Sequence, residues 1–385
     1  MSFTQIRKIL ITGFAMFAML FGSGNVIFPL ILGKDSGHQL LWGVLGFLLT
    51  AVFVPLLGLF ATMLSRGDYK IFLAPLGQIP SFLMILICMV LLGPFALIPR
   101  CIVISYAAIK IHIPALDLFF FAIVCALLIF ACTIKNSIIV DLLGRFFGPL
   151  KIILLLTLII KGLLNPSLLM TSALTPAQGF AKGLLSGYGT CDLLATIFLA
   201  GLIMSGLSKG MHPEKRKDAR AMLLLGIQAS LIGGILLALV YMGFCLVAGF
   251  HAQELVHVER GDIFSKLAII ILGQEGGLLA NITIAISCLA TAISLTAIFA
   301  MYLHKDLCGG RLSYKTALII TSLITACVTN LGFSRIMSLL SPIIQVIYPV
   351  LIVYTLWHII DKVRQLKKQR RLSISLQPVS SDWGQ

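Results

Sequence analysis

The chain is 385 residues long, with 59% hydrophobic residues, 11% charged residues and a formal net charge of +15. With a mean hydropathy of +1.05, this excludes a soluble globular domain and makes the chain an integral membrane protein. The charge does not call for a nucleic-acid partner: Lys and Arg collect at the ends of apolar stretches and in the C-terminal tail, not on a folded face interleaved with aromatics.

The first apolar stretch, about 6–32, follows Arg7 and Lys8 as a secretory signal would. It is too long for one and has no small-residue cleavage site, so it reads as a permanent span. Its middle holds Phe21-Gly22-Ser23-Gly24-Asn25-Val26-Ile27-Phe28-Pro29. Glycine carries backbone entropy into a helix and proline removes a donor, so the helix is expected to break here. In hydrocarbon a broken helix persists only where protein, water or a ligand supplies partners for the freed backbone groups. One reading is a binding site at mid-membrane, with amides of the outer half-helix facing a carboxylate and carbonyls of the inner half facing a cation. The other is a packing motif in which Gly22 and Gly24 let a neighbouring helix approach.

Stretches long enough to span, at about 20 residues each, fall near 6–32, 39–64, 80–109, 114–134, 146–164, 187–207, 221–248, 277–303, 314–333 and 336–360. With the N-terminus inside, the inner segments hold Arg7, Lys8, Arg66, Lys70, Lys135, Arg145, Lys209, Lys215, Arg216, Lys217, Arg220, Lys305, Arg311, Lys315 and the basic tail, twenty in all. The outer segments hold seven: Lys34, Lys110, Lys161, Lys182, Arg260, Lys266 and Arg335. That asymmetry predicts both termini in the cytoplasm. Arg100 and Lys151 sit within spans. The 249–268 segment, with Glu254, Glu259 and Asp262, reads as an exposed loop, and 267–273 as either a short surface helix or the start of a long tilted span. Residues 1–360 are therefore taken as one transmembrane domain, and 361–385 as a basic, disordered cytoplasmic tail resting against anionic headgroups. The nine cysteines lie mostly in apolar stretches without C-x-x-C or Cys/His metal spacing and read as small apolar residues. No G-x-x-x-x-G-K-[ST] pattern is present for ATP-driven transport.

Ten spans divide into halves of about 6–164 and 187–360 that run in opposite senses. The interruptions fall at matching places, the glycine break in span one and Gly187-Tyr188-Gly189-Thr190-Cys191-Asp192 opening span six. Asp192 is the acid deep enough in a span to matter, and its charge costs at least about 2.5 kcal/mol to bury. It meets a substrate ammonium, a cation or a proton, or else pairs structurally with Lys151 or Arg100. In span eight Ser287, Thr291 and Ser294 share a helix face. They either offer oxygens to a sodium ion opposite the carbonyls freed in span one, or bond their own or a neighbouring helix. Arg100 follows Leu92-Gly93-Pro94-Phe95-Ala96-Leu97-Ile98-Pro99 and reads as a snorkelling residue near the outer interface, with an external gate as the alternative. Asn330-Leu331-Gly332-Phe333 and Ser341-Pro342 read as turn and kink. An enzyme would need clustered His, Asp, Glu or Cys inside the spans, and the histidines lie at loops and ends.

These motifs, Phe21 through Asn25 with Ile27-Phe28-Pro29, Leu92-Gly93-Pro94 through Ile98-Pro99-Arg100, Gly187-Tyr188 through Asp192, Cys288-Leu289 through Thr291-Ala292, and Tyr348-Pro349, resemble the branched-chain amino acid carrier family, the bacterial system II carriers, over almost the whole chain. The resemblance implies sodium-coupled import of leucine, isoleucine and valine across the inner membrane of a bacterium. It also implies an all-α membrane fold of about ten transmembrane helices, the 5+5 inverted repeat of sodium-coupled amino acid symporters with helices 1 and 6 broken. On that likeness the amides of Gly22, Ser23 and Gly24 receive the substrate carboxylate, and carbonyls near Ala18 and Phe21 face sodium. The substrate set is then Phe21, Gly22, Ser23, Gly24, Asn25, Gly189, Thr190 and Asp192, and the sodium set Ala18, Phe21, Ser287, Thr291 and Ser294. No other cofactor is expected, and the partners are an amino acid, sodium or a proton, and the bilayer. The chain departs from the family in stopping after ten spans rather than twelve, in Ala290-Thr291 for paired threonines, and in Cys191 for methionine. Transport is expected to survive the missing pair of helices, which lie outside the five-plus-five core. A proton-coupled importer of another apolar amino acid such as methionine, or a non-transporting amino acid receptor, are the competing readings.

Overall fold

The computed structural model describes residues 3–134, 138–167, 169–208 and 219–375, which are helical with no strand among them. Among the described residues, six stretches are long and apolar enough to cross a membrane: Ser23–Leu64, Gln78–Lys110, Pro176–Gly201, Met222–Phe250, Ile263–Leu307 and Gly332–Gln365. Shorter apolar helices lie at Ile9–Leu20, Leu118–Ile134 and Tyr314–Thr329. Large apolar side chains such as Ile79, Phe120, Leu164 and Val353 are left on the outside of the bundle, as a lipid-facing surface requires. Lys135, Lys209, Lys215, Arg216 and Lys217, counted among the inner basic residues, and residues 376–385 of the expected tail lie outside the described residues.

Three interruptions shape the interior. Helix α1 (Phe3–Leu20) stops two residues before α2 (Ser23–Ser36). After α3 (Leu40–Leu48), a π-helical turn at Leu49–Phe53 leads into α4 (Val54–Leu64), where Pro55 has no amide to continue the α-helical ladder. The short α5 (Tyr69–Leu73) precedes α6 (Gln78–Leu92), and Gly93–Ala96 separates α6 from α7 (Leu97–Lys110). That is the second interruption, and Pro94 lies inside it.

Past α8 (Leu118–Ile134) and α9 (Ile138–Leu164) comes the third interruption, between α10 (Pro176–Tyr188) and α11 (Asp192–Ser208). The glycine cluster was expected to open span six. In the structure it lies in the middle, because a thirteen-residue helix precedes it. The start signal is local: Thr175 accepts from the Gln178 amide at 3.3 Å, the Gln178 side chain returns to the Thr175 amide at 2.9 Å, and Pro176 takes the first position.

The chain continues through α12 (Ala219–Phe250), α13 (Ile263–Tyr302), α14 (Tyr314–Thr329) and α15 (Gly332–Ser375). Within α13, Gly273 has φ 77° and sets the first ten residues apart from the long helix that follows. Residues 361–375, expected as disordered tail, instead extend α15. The helix is already nucleated, and Asp361 through Arg371 contains neither Gly nor Pro.

Candidate functional site

The first and third interruptions face each other. At the first, the Phe21 amide still reaches the Phe17 carbonyl at 2.9 Å, and the Gly22 amide turns back to Leu20 O at 2.8 Å. Gly22 is extended, with φ −110° and ψ −160°, and caps α2. Ser23 and Gly24 then stand in the first turn of α2, where amides have no acceptor within their own helix. Asn25 Oδ1 accepts from the Gly22 amide at 2.9 Å, which fixes the side-chain amide so that Nδ2 donates to both oxygens of Asp192 at 2.8 Å each.

At the third interruption, Cys191 adopts φ 62°, a left-handed conformation that costs a residue with a Cβ about 1–2 kcal/mol. The turn is held by Cys191 N–H to Tyr188 O at 3.1 Å and by Thr190 Oγ1 to Gly187 O at 2.9 Å. Asp192 begins α11 fully buried. Tyr241 of α12 donates its hydroxyl to Asp192 Oδ2 at 2.7 Å and also meets Asn25 Nδ2. Its ring lies edge-on to Phe47 at 5.2 Å.

Arg100 joins the two. It is 1% exposed, so the snorkelling position expected from the sequence is corrected. The Gly93–Ala96 interruption restarts the helix at Leu97 and puts Arg100 one turn into α7, against the other two breaks. Its Nη1 donates to Gly189 O at 2.7 Å, Nη2 to Thr190 O at 3.3 Å and Nε to Ser23 Oγ at 3.1 Å. Carbonyls at the end of α10 are orphaned by the break, and a cation is well placed there. The Arg100 side chain also lies over the Phe28 ring at 5.5 Å. A Cβ on Gly24 would stand 2.5 Å from Arg100 Nη2 and 2.9 Å from Thr190 O, so glycine is what lets the two breaks close. Among the described residues no carboxylate or ammonium lies within ion-pair distance of Asp192 or Arg100. Their opposite charges are carried in one cluster through Asn25, Ser23 and backbone.

The positions assigned to sodium behave differently. Lys151 of α9, 3% exposed, places Nζ 3.1 Å from Ser287 Oγ and 3.4 Å from Phe21 O. The same ammonium lies 4.9 Å from the Phe21 ring centroid and 5.6 Å from that of Phe17. Thr291 Oγ1 donates to Ser287 O and Ser294 Oγ to Ala290 O, each at 3.1 Å within their own helix. Thr291 flanks Gly22, where a Cβ would meet its Cγ2 at 3.3 Å. Ala18 lies in the last turn of α1. Two of the five positions are thus bridged by an ammonium, and two turn their hydroxyl protons onto helix carbonyls. Among the described residues no cluster of three His, Cys, Asp or Glu has metal-ligand geometry.

The structure therefore gathers Gly22, Ser23, Gly24, Asn25, Gly189, Thr190 and Asp192 around Arg100 and Tyr241, and Phe21 and Ser287 around Lys151. Sequence reasoning missed Tyr241, which carries no local signal. Arg100 and Lys151 did carry one, as the two basic residues left over when the others had been given to helix ends.

Comparison with known proteins covers nearly the whole chain. A family model described as branched-chain amino acid transport protein matches residues 5–379. The chain is 31% identical to the branched-chain amino acid transport system 3 carrier protein of Pseudomonas aeruginosa, over 91% of this chain and 82% of that protein. It is 28% identical to the branched-chain amino acid permease BraB of Bacillus subtilis, over 96% and 83% of the two chains. With the permease BrnQ of Escherichia coli the identity is 29%, over 89% of this chain and 78% of that one.

Proposed function

Because this chain belongs to the branched-chain amino acid transport protein family, and so is a multi-pass membrane transporter rather than an enzyme, we propose that it imports leucine, isoleucine and valine as a secondary carrier driven by a cation gradient. Residues 1–360 form the transport domain in the inner membrane of a bacterium, with both termini inside. Its two halves, about 6–164 and 187–360, are inverted repeats whose broken helices enclose the substrate. Sodium is the driving ion that the resemblance implies.

The observation that carries this reading is the clasp of Asn25, Arg100, Asp192 and Tyr241 between two helix breaks, all four at most 2% exposed. A zwitterion needs both signs of charge in one water-poor place, and helix ends supply directional partners for each. The amides of Ser23 and Gly24 receive the carboxylate, with Arg100 behind them. Asp192 and the carbonyls of Gly189 and Thr190 receive the ammonium. Entry of substrate exchanges protein contacts for ligand contacts at both breaks, and this differential interaction is what lets a ligand shift a conformational equilibrium.

The test is counterflow in proteoliposomes loaded with leucine. External labelled leucine should be drawn in, with isoleucine and valine competing and lysine, aspartate and alanine competing poorly. Equal competition by all of these, or saturable binding without any counterflow, would refute a branched-chain carrier and leave a receptor.

A further inference from the structure

Phe28 stands one turn after Gly24 on the same face of α2. Gly24 brings that face against Arg100 and Thr190, and Phe28 carries it on to Gly189. A Cβ on Gly189 would stand 2.7 Å from Phe28 Cδ1 and nearer still to Cε1 and Cζ. Gly189 has φ −63° and ψ −21°, angles that any residue adopts in a helix, so it is the seated ring and not the path of the chain that calls for glycine there. The guanidinium of Arg100 lies 5.5 Å from the centre of the same ring. Ser23, Asn25, Arg100, Thr190 and Asp192 are buried, whereas Phe28 is only partly so. Tyr188, another partly buried aromatic at the third break, already packs on Tyr348 with ring centres 4.8 Å apart.

Resting on the reading of the chain as a carrier, we infer that Phe28 determines which side chains are accepted: its ring is the wall on which the aliphatic side chain of the substrate lies, and it bars an aromatic one. The position follows from the two ends of the amino acid. With the carboxylate on the amides of Ser23 and Gly24 and the ammonium on the carbonyls of Gly189 and Thr190, the α-carbon lies between the two breaks. Phe28 is an apolar side chain in contact with both Gly189 and the guanidinium, so a side chain leaving that α-carbon meets its ring.

A ring without polar atoms offers dispersion contacts to methyl groups and leaves a charged or hydroxylated side chain without a partner. It also limits size. Close-packed groups do not give way by the width of a carbon, and the ring is backed by the Gly189 peptide on one side and by Arg100, itself held by three hydrogen bonds, on another. It has nowhere to retreat. A branched aliphatic side chain is short enough to rest on the ring, whereas an aromatic substrate requires the volume that the ring fills.

The test uses the full chain in proteoliposomes and compares the initial counterflow of labelled leucine with that of labelled phenylalanine, in the wild type, Phe28→Ala and Phe28→Leu. The wild type should exchange leucine and take phenylalanine poorly. In Phe28→Ala the ratio of phenylalanine to leucine uptake should rise by at least about ten-fold, the least that one methylene of room in an apolar pocket is worth. In Phe28→Leu it should rise in the same direction. A ring that serves only to hold the breaks together would lower both substrates alike, so a ratio within two-fold of wild type in the Ala variant, or loss of both substrates in protein that elutes as the same species, would overturn the inference. So would a wild type that exchanges phenylalanine as readily as leucine. If Phe28→Ala fails to fold, the ratio in Phe28→Leu decides by itself. A wild type without leucine counterflow would overturn the carrier reading, which every other outcome leaves intact.

Discussion

Arg100 spends three donors on three oxygens from two separate helix breaks, Ser23 on one side and Gly189 and Thr190 on the other. A planar fork can do this from one position, whereas an ammonium is a compact point charge on a flexible stem. Arg100→Lys keeps the charge but cannot span the same oxygens. Initial leucine uptake in vesicles should fall by at least about ten-fold, as for loss of two charge-assisted bonds of about 1.5–3 kcal/mol each. Uptake within two-fold of wild type would show that the breaks hold without the staple. Asn25 is equally specific, since one end of its amide holds the Gly22 backbone and the other holds Asp192. Gly24 beside it contributes space and backbone, while Ser23 offers its hydroxyl oxygen to Arg100.

Among the helices, α10 and α3 lie against each other along a seam of glycines. Gly179, Gly183 and Gly187 repeat every fourth residue and meet Gln39, Gly43 and Thr50, while Gly46 meets Phe180, the close approach that small residues permit in membranes. A Cβ on Gly183 would fall 2.0 Å from Gly43 O and 2.9 Å from Phe47 N, and backbone atoms cannot yield as a flexible side chain does. Gly183→Ala should therefore destabilise the protein by about 1–3 kcal/mol, the usual cost of overpacking, read as a lowered melting temperature in detergent. An unchanged melting temperature would mean that the seam is looser than these distances.

This seam shows why part of the architecture was legible and part was not. The breaks at 21–22 and 189–191 were foreseen because Gly and Pro act locally on the backbone. α10 was missed although its capping box and glycine spacing stand in the sequence, because Pro176–Tyr188 is too short and too polar to read as a span. Arg100 was misplaced because counting from the end of a span assumes an unbroken helix, and Gly93–Ala96 interrupts it. Lys151 meets Phe21 and Ser287 across 130 and 136 residues of chain, a relation that no local pattern encodes.

Over the whole molecule, three interrupted stretches converge on one charged cluster, and Lys151 of α9 reaches the first break through the carbonyl of Phe21. The central claim is that the clasp around Asp192 is where the amino acid binds. Its most direct test is equilibrium binding of labelled leucine to the purified chain in detergent, comparing wild type with Asp192→Asn. The account predicts saturable binding to the wild type that isoleucine and valine displace. It also predicts affinity at least about ten-fold weaker in the variant, the least that losing one partner of a buried charge cluster implies, in protein that elutes as the same species. Equal affinity in the two proteins would contradict it.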